Sequence, residues 1–518
     1  MAFYANVCPN SKPLHFPAIE VQAPAQISLS SLALRAPRHA TGKGNPSVHS
    51  RRLNRRFQVL RPRVEHNAGR TEALSKTRRR ALQSVAMAAW VPPWVRAQPV
   101  QGSRAPPANP KTNGPTNEVV RVVNGMRHKR LGAGDIFVSE MGLGTQRWGS
   151  ADFNAPDKAL CHRLMDRAVL EAGVNLIDTA EQYPIPSSRA RPEGSTERII
   201  GQWLALDPSR REQVVLASKI TGGMNVTPRN LRRDVEASLQ RLQTHYLDVY
   251  LLHWPARYTP QANWGQSLMY DMDAEKSTYY QGHATFDQIA QTMGELIAEG
   301  KILGWGMCND NAYGLAASCA AARAPGVPKP VAMQNDFSLI DRRAEENGVT
   351  EGSSPFNENV GFMAYNALAG GVLTGKYLDV PAVPDDDNLD RARQNYGAPR
   401  GRMDDLSWGR TLYRYRSGPA LEAVMQYSAL ASDYEMSLTE LSLRWCRERQ
   451  GLTSVLVGQT SMAQLEEDLA AFTTKDALNA SLMWDIDRVH MRNRLPIFSS
   501  YDVGADWNGS GQIGERIP

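Results

Sequence analysis

Cysteine is scarce in this chain of 518 residues: five occur, at Cys8, Cys161, Cys308, Cys319 and Cys446, with no CxxC and no paired spacing. That scarcity argues against a disulfide framework and a zinc site, and it fits a reducing compartment. The ten histidines are scattered, without the close pairing that a metal site needs. No stretch approaches the roughly 18 continuous apolar residues of a membrane span. Neither a P-loop nor HExxH occurs, and Gly142-Leu-Gly144 lacks the third glycine and the following helix of a dinucleotide fingerprint. Asp385-Asp-Asp387 lies in a Pro-flanked insertion and reads as solvated loop.

Aspartate is absent from the first 117 residues, which carry 18 Lys plus Arg against Glu20, Glu65 and Glu72, a net charge of +15. The whole chain is +6, so residues 118–518 stand near −9, and the argument for nucleic-acid binding disappears. The basic segment is rich in Ser, Ala, Pro and Arg and shows no sustained hydrophobic period, as a transit peptide does. Residues 1–117 are therefore expected to be a cleaved or disordered leader, or else a basic tether. Arg78-Arg79-Arg80 before the apolar run Ala81–Trp94 and Ala97 resembles a twin-arginine signal inside it. The expected address is the chloroplast, the stroma ahead of the thylakoid lumen, with the mitochondrion as the alternative.

From Val119 onward short apolar runs alternate with amphipathic segments at βα spacing. The pattern predicts strands at 139–145, 174–179, 214–218, 247–252, 302–306, 331–335, 360–365 and 453–457. Helices are expected at 157–172, 196–206, 228–242 with Thr227 as N-cap and Pro228 at the first position, 286–298, 311–321, 419–434 and 461–471. The sixth crossover, 341–359, has no clear stripe, so its helix is expected to be short or missing. Eight strands with these helices favour an α/β fold of the (β/α)8 TIM-barrel class over residues 118–495, followed by a tail at 496–518. Val119–Val138 reads as two extended runs around Asn124-Gly125, a hairpin suited to closing the barrel bottom. Long insertions at 256–285 and 378–418 follow the fourth and seventh strands, on the face where barrels build pockets. Their Trp264, Tyr270, Tyr279, Tyr280, Trp408, Tyr413 and Tyr415 suit an apolar or aromatic carbonyl, or packing against the barrel.

Titratable groups end three successive strands: Asp178, five residues before Tyr183; Lys219; and His253 in Leu-His-Trp-Pro255. Singly these are a cap, a packed phenol, a solvated lysine and a structural histidine. Together they converge on one mouth. With Met141-Gly-Leu-Gly-Thr145, Asn175–Pro184, Ala217-Ser-Lys219, Ser238–Asp248, Met333-Gln-Asn335, Ala369–Tyr377 and Ser454–Gly458, the chain resembles the aldo-keto reductase family, and within it the Tas-like bacterial subgroup, over about residues 120–495.

The resemblance implies a catalytic tetrad of Asp178, Tyr183, Lys219 and His253. Hydride transfer to a carbonyl leaves negative charge on oxygen, which a positioned acid must neutralise. Tyr183 is the expected acid. Its phenol, near pKa ~10 when free, is expected to be lowered by the Lys219 ammonium, which Asp178 holds charged; a neutral His253 orients the carbonyl.

For the cofactor, NADPH or alternatively NADH, the resemblance implies Gly144 and Thr145 after the first strand and Cys308, Asn309 and Gln334 around the carboxamide, with a weak thiol where the family has serine. Cys308 reads as a packing thiol or an oxidisable one. Tyr365 matches the aromatic stacked on the nicotinamide. Leu368, Gly371, Leu373 and Lys376 match the loop over the pyrophosphate, and Gly458, Gln464, Glu467 and Asp468 match the adenosine end, with Asp468 where relatives often carry asparagine. No Arg or Lys lies in residues 458–468.

The expected activity is reduction of a small aldehyde or ketone by a monomer or weak oligomer, with no metal, no nucleic acid and no membrane span. A cofactor-sensing, slow-turnover subunit like the channel-associated relatives is the alternative, and a barrel that has lost cofactor binding a third. Turnover discriminates them.

Overall fold

The computed structural model describes residues 114–498 apart from 152–153, 260–269, 324–325, 379–400, 403–414 and 416. Residues 1–113 of the expected leader, 499–518 of the expected tail, and Trp264, Trp408 and Tyr413 lie outside the described residues, whereas Thr116 at the end of the expected leader is buried and its amide donates to Asn359 at 2.7 Å.

Eight parallel strands close into one barrel: β4 (Met141–Gly144), β5 (Leu176–Asp178), β6 (Val215–Ile220), β7 (Leu247–Leu252), β8 (Ile302–Cys308), β9 (Ala332–Asp336), β10 (Gly361–Tyr365) and β11 (Ser454–Val457). Each expected strand overlaps one of them, and the helices return the chain as in a (β/α)8 barrel. The first strand begins two residues later than expected. Ser139 is taken by a separate antiparallel sheet, where it pairs with His128.

That sheet has three strands rather than the two expected runs: β1 (Val119–Val123), β2 (Met126–Arg130) and β3 (Phe137–Ser139). Asn124 and Gly125 turn between the first two with φ of 50° and 85°, the pair of positive values that an Asn-Gly hairpin turn needs. Leu131 and Val138, beside and within the sheet, pack in one buried cluster with Leu176, Val215, Ala217, Val249, Leu251, Ala332, Met363 and Leu456. Those strand residues alternate along their strands, so they face the barrel interior, and the small sheet plugs the N-terminal end. Gly361 leaves room for the plug: a Cβ there would meet Leu131 Cδ1 at 2.4 Å.

Local chemistry sets the helices. Thr227 caps Pro228–Leu242 by accepting from the Asn230 amide, and Thr285 with Gln288 forms a reciprocal capping box on Phe286–Ala298. The sixth crossover has two short helices, Arg343–Glu346 and Val349–Ser353, interrupted at Gly348, whose φ is 76°. Helices at Leu438–Glu448 and Ala480–Arg492 were not expected from the pattern. The first of them is amphipathic, burying Leu438, Leu441 and Trp445, and it also buries Arg444 and Arg447 on ion pairs to Glu440 and Glu140.

Candidate active site

Period two along the strands selects the site. Continuing each inward row past the apolar layer gives Gly144, Asp178, Lys219, His253, Cys308, Gln334, Tyr365 and Gly458, one from the end of each strand. Strand pairing brings Gly144 beside Asp178 and Cys308 beside Gln334. A cleft of about 330 Å³ opens above this layer, at the C-terminal end of the strands where barrel enzymes carry their chemistry.

Lys219 forms the floor. It is fully buried, and its ammonium donates to Asp178 Oδ2 at 2.6 Å and to the Thr179 carbonyl at 2.8 Å. Burial pulls its pKa down, but the Asp178 carboxylate outweighs that and the net direction is up, so the side chain is an ammonium at neutral pH. Tyr183 sits with its ring centroid 5.1 Å from that nitrogen and edge-on to His253 at 5.7 Å. The Tyr183 carbonyl accepts from the Gly194 amide at 2.9 Å, where the helix Ser195–Leu204 begins, and this fixes the phenol's backbone.

The expected lowering of the Tyr183 phenol is not the net result. Burial is the larger effect and raises it, with Lys219 pulling it back down in part. The phenol therefore keeps its proton at neutral pH, which suits a donor. Burial first, and then Lys219, push His253 well below the ordinary imidazole range, so it is neutral; its Nδ1 is buried without a protein partner among the described residues.

Beside this group runs a line of amides. Asn309 donates to the His253 carbonyl at 2.9 Å and to Cys308 Sγ at 3.3 Å, and its Oδ1 accepts from the Tyr365 hydroxyl. Cys308 donates to Gln334 Oε1 at 3.5 Å, and Gln334 Nε2 donates to Asp178 Oδ1 at 2.8 Å. Burial pushes the Cys308 thiol up, so it stays protonated and is a poor target for oxidation.

Farther along, Gly370 and Gly371 turn with positive φ of 67° and 97°, next to Lys376. A Cβ on Gly371 would come within 3.1 Å of the Lys376 ammonium, and one on Gly458 within 3.1 Å of the Gly144 carbonyl. Bare backbone and one cation form a cradle that side chains would fill, with the chemistry of an anion site. At the far end Gln464 Oε1 accepts from the Thr460 amide at 2.7 Å, Glu467 from the Ser437 hydroxyl at 2.9 Å, and Asp468 from Gln459 at 2.9 Å. Amides at one end, an anion cradle in the middle and a polar cap beyond it match the parts of a dinucleotide in order.

Of the residues singled out from the sequence, Gly144, Thr145, Asp178, Tyr183, His253, Cys308, Asn309, Gln334, Tyr365, Leu368, Gly371, Lys376, Gly458, Gln464, Glu467 and Asp468 line the cleft. Lys219 lies behind it. Leu373 does not line it, because its side chain is fully buried in the core between barrel and helices. Gln146, Arg147, Trp148, Arg402, Ser437 and Gln459 also line it and carried no readable motif, although the first three directly follow Gly-Leu-Gly-Thr145. Of the insertion aromatics, Tyr415 is buried and donates to Asp336 at 3.1 Å, so it packs against the barrel, while Tyr270 is exposed. No group of three or more metal-ligating side chains occurs among the described residues.

Asp468 gives a pH test of this end. It is 2 % exposed, and burial pushes its carboxyl from 3.8 up to about 7, with Gln459 pulling it down and Glu467 up. A folded pKa above the unfolded one means that ionisation opposes folding: nothing is lost below pH 3.8, and the loss is complete above about 7. Asp468→Asn is expected to raise the melting temperature at pH 8, by the equivalent of about 4 kcal/mol, with the gain shrinking toward zero near pH 4. A gain independent of pH, measured by scanning fluorimetry, would contradict this.

The family model described as "Aldo/keto reductase family" matches residues 140–490. The "Protein tas" of Escherichia coli is 32 % identical over 382 residues, covering 72 % of this chain and 99 % of the relative, and that of Shigella flexneri matches equally. An "Aldo-keto reductase" of Babesia bovis is 29 % identical over 303 residues, 55 % of this chain and 98 % of the relative.

Proposed function

The chain belongs to the aldo/keto reductase family, and on that premise we propose that it reduces an aldehyde or ketone to an alcohol with NADPH, NADH being the alternative donor. The observation that carries this reading is the buried Lys219–Asp178 pair, 2.6 Å long, beneath a phenol and a neutral imidazole at the mouth of the barrel.

When bound, the reduced nicotinamide supplies the hydride. Asn309 and Gln334 would hold its carboxamide, Tyr365 its ring, Gly371 and Lys376 its pyrophosphate, and Gln464, Glu467 and Asp468 its adenosine. Tyr183 gives the proton. Its phenol is a donor through most of the pH range because burial keeps it protonated, and the Lys219 charge favours the phenolate left behind. His253, neutral, orients the carbonyl oxygen toward Tyr183. Asp178 holds the ammonium charged and immobile, so little reorganisation accompanies the charge that develops.

Titration of the full chain with NADPH and with NADH, followed by quenching of tryptophan fluorescence, tests the reading; Trp148 lines the cleft. Saturable binding followed by multiple turnovers with an aldehyde or ketone is expected. No binding of either dinucleotide would sink it. For residues 1–117 we propose plastid import and removal, which a mature N-terminus near residue 118 in the isolated organelle would support and an intact leader there would refute.

A further inference from the structure

Each amide in the line beside the cleft has one orientation, and both ends of the line impose it. At one end the partner of Gln334 is a carboxylate that is bound to an ammonium on its other oxygen, so it can only accept. Gln334 must therefore turn its nitrogen to Asp178 and its carbonyl away. At the other end the His253 carbonyl can only accept as well, which turns the Asn309 nitrogen toward it and its carbonyl toward the Tyr365 hydroxyl. Between the two amides stands Cys308. Asn309 already donates to its sulfur, so the single thiol proton goes to the Gln334 carbonyl. No donor in the line meets another donor.

We propose that Gln334 is a positioning residue for proton transfer, acting through Asp178, with Cys308 fixing the way Gln334 faces. Its amide nitrogen takes up the one Asp178 oxygen that Lys219 does not hold. The carboxylate is thereby fixed in rotation, and its charge is shared between an amide and the ammonium. Lys219 then keeps more of its own positive field for Tyr183, 5.1 Å away. Take the amide away, and the whole carboxylate charge bears on Lys219, the field at the phenol weakens, and the phenolate is disfavoured. This role rests on the reductase reading above. It is separate from any contact that Gln334 makes to a carboxamide, because it works through the nitrogen that faces Asp178.

The test is the pH dependence of alcohol oxidation, the reverse reaction, in which Tyr183 must accept a proton. Rates are measured with the oxidised cofactor saturating, and the cofactor Kd is measured separately by fluorescence. Gln334→Leu is expected to move the rising limb of the rate to higher pH by about half a unit to one unit, a three- to tenfold slower rate at any pH on that limb, whatever happens to Kd. Cys308→Ala is expected to move it the same way by less, and Cys308→Ser to restore it, since a hydroxyl can donate as the thiol does. Should Gln334→Leu fail to fold, Gln334→Met removes the same donor with an unbranched chain of the same length. If the wild-type chain binds no cofactor, the reductase reading falls and this inference with it. If wild type binds and turns over, and the variant raises Kd while its limb coincides with that of wild type, the positioning role alone is overturned.

Discussion

Replacing Tyr183 by phenylalanine is expected to cut turnover at least ~100-fold, the low end for losing a general acid, while leaving cofactor affinity almost unchanged. The substitution removes one hydroxyl and little else. Tyr183 is 6 % exposed, and its ring packs edge-on to His253 and against the Lys219 ammonium, contacts that a phenyl ring keeps. The backbone is held by the bond from Gly194, which does not depend on the side chain. Fold and cleft therefore survive, and the missing proton donor is the only deficit. Two readouts separate the outcomes: kcat with a carbonyl substrate and Kd by fluorescence. Normal kcat removes Tyr183 from the mechanism, whereas an intact kcat with a weakened Kd would make the phenol a binding group.

The parts of this molecule that could be read from sequence are those written by short-range rules. Apolar runs of strand length at βα spacing gave the eight barrel strands, and the Thr227-Pro228 start and the Asn124-Gly125 turn are local chemistry that no tertiary contact overrides. Asp178, Lys219 and His253 were readable because a titratable group closing an apolar strand breaks a pattern. What escaped depends on long-range pairing. Arg444 and Arg447 are buried on ion pairs, and the partner of Arg447 is Glu140, about 300 residues away, a pairing that the helix's own amphipathic spacing does not announce. Gln146 follows β4 and Gln459 follows β11, strands about 310 residues apart in sequence that meet where the barrel closes, so their sharing of one cleft is not written locally. The net rise of the Tyr183 phenol was also invisible. The opposing Lys219 charge can be named from sequence, but the depth of burial that outweighs it cannot.

The same burial makes the Lys219–Asp178 pair costly to break. Asp178 has two acceptor oxygens, one on Lys219 and one on Gln334, and it is 3 % exposed. Lys219→Met keeps the bulk of the chain and deletes the charge, stranding a carboxylate with a single neutral donor. Removing one member of a buried pair costs about 3–5 kcal/mol. For the nearly 400 residues of this barrel that corresponds to a fall of roughly 3–7 °C in Tm, from about 2.1 cal/mol/K of unfolding entropy per residue. The double change Asp178→Asn with Lys219→Met is expected to recover most of that loss, because a neutral amide in place of the carboxylate no longer needs a cation. pH supplies the second signature. Acidification protonates the stranded carboxyl in the single variant and relieves its loss, so its gap from wild type narrows as pH falls. In wild type the raised Lys219 pKa runs the other way: the stability it contributes is fully present below the unfolded value of 10.5 and is lost only as pH climbs through the folded one. The single variant should therefore differ most from wild type at neutral pH and least in acid. Equal Tm values for single and double variants at neutral pH would mean that the pair contributes packing alone, and that the charge on Lys219 is not held by Asp178.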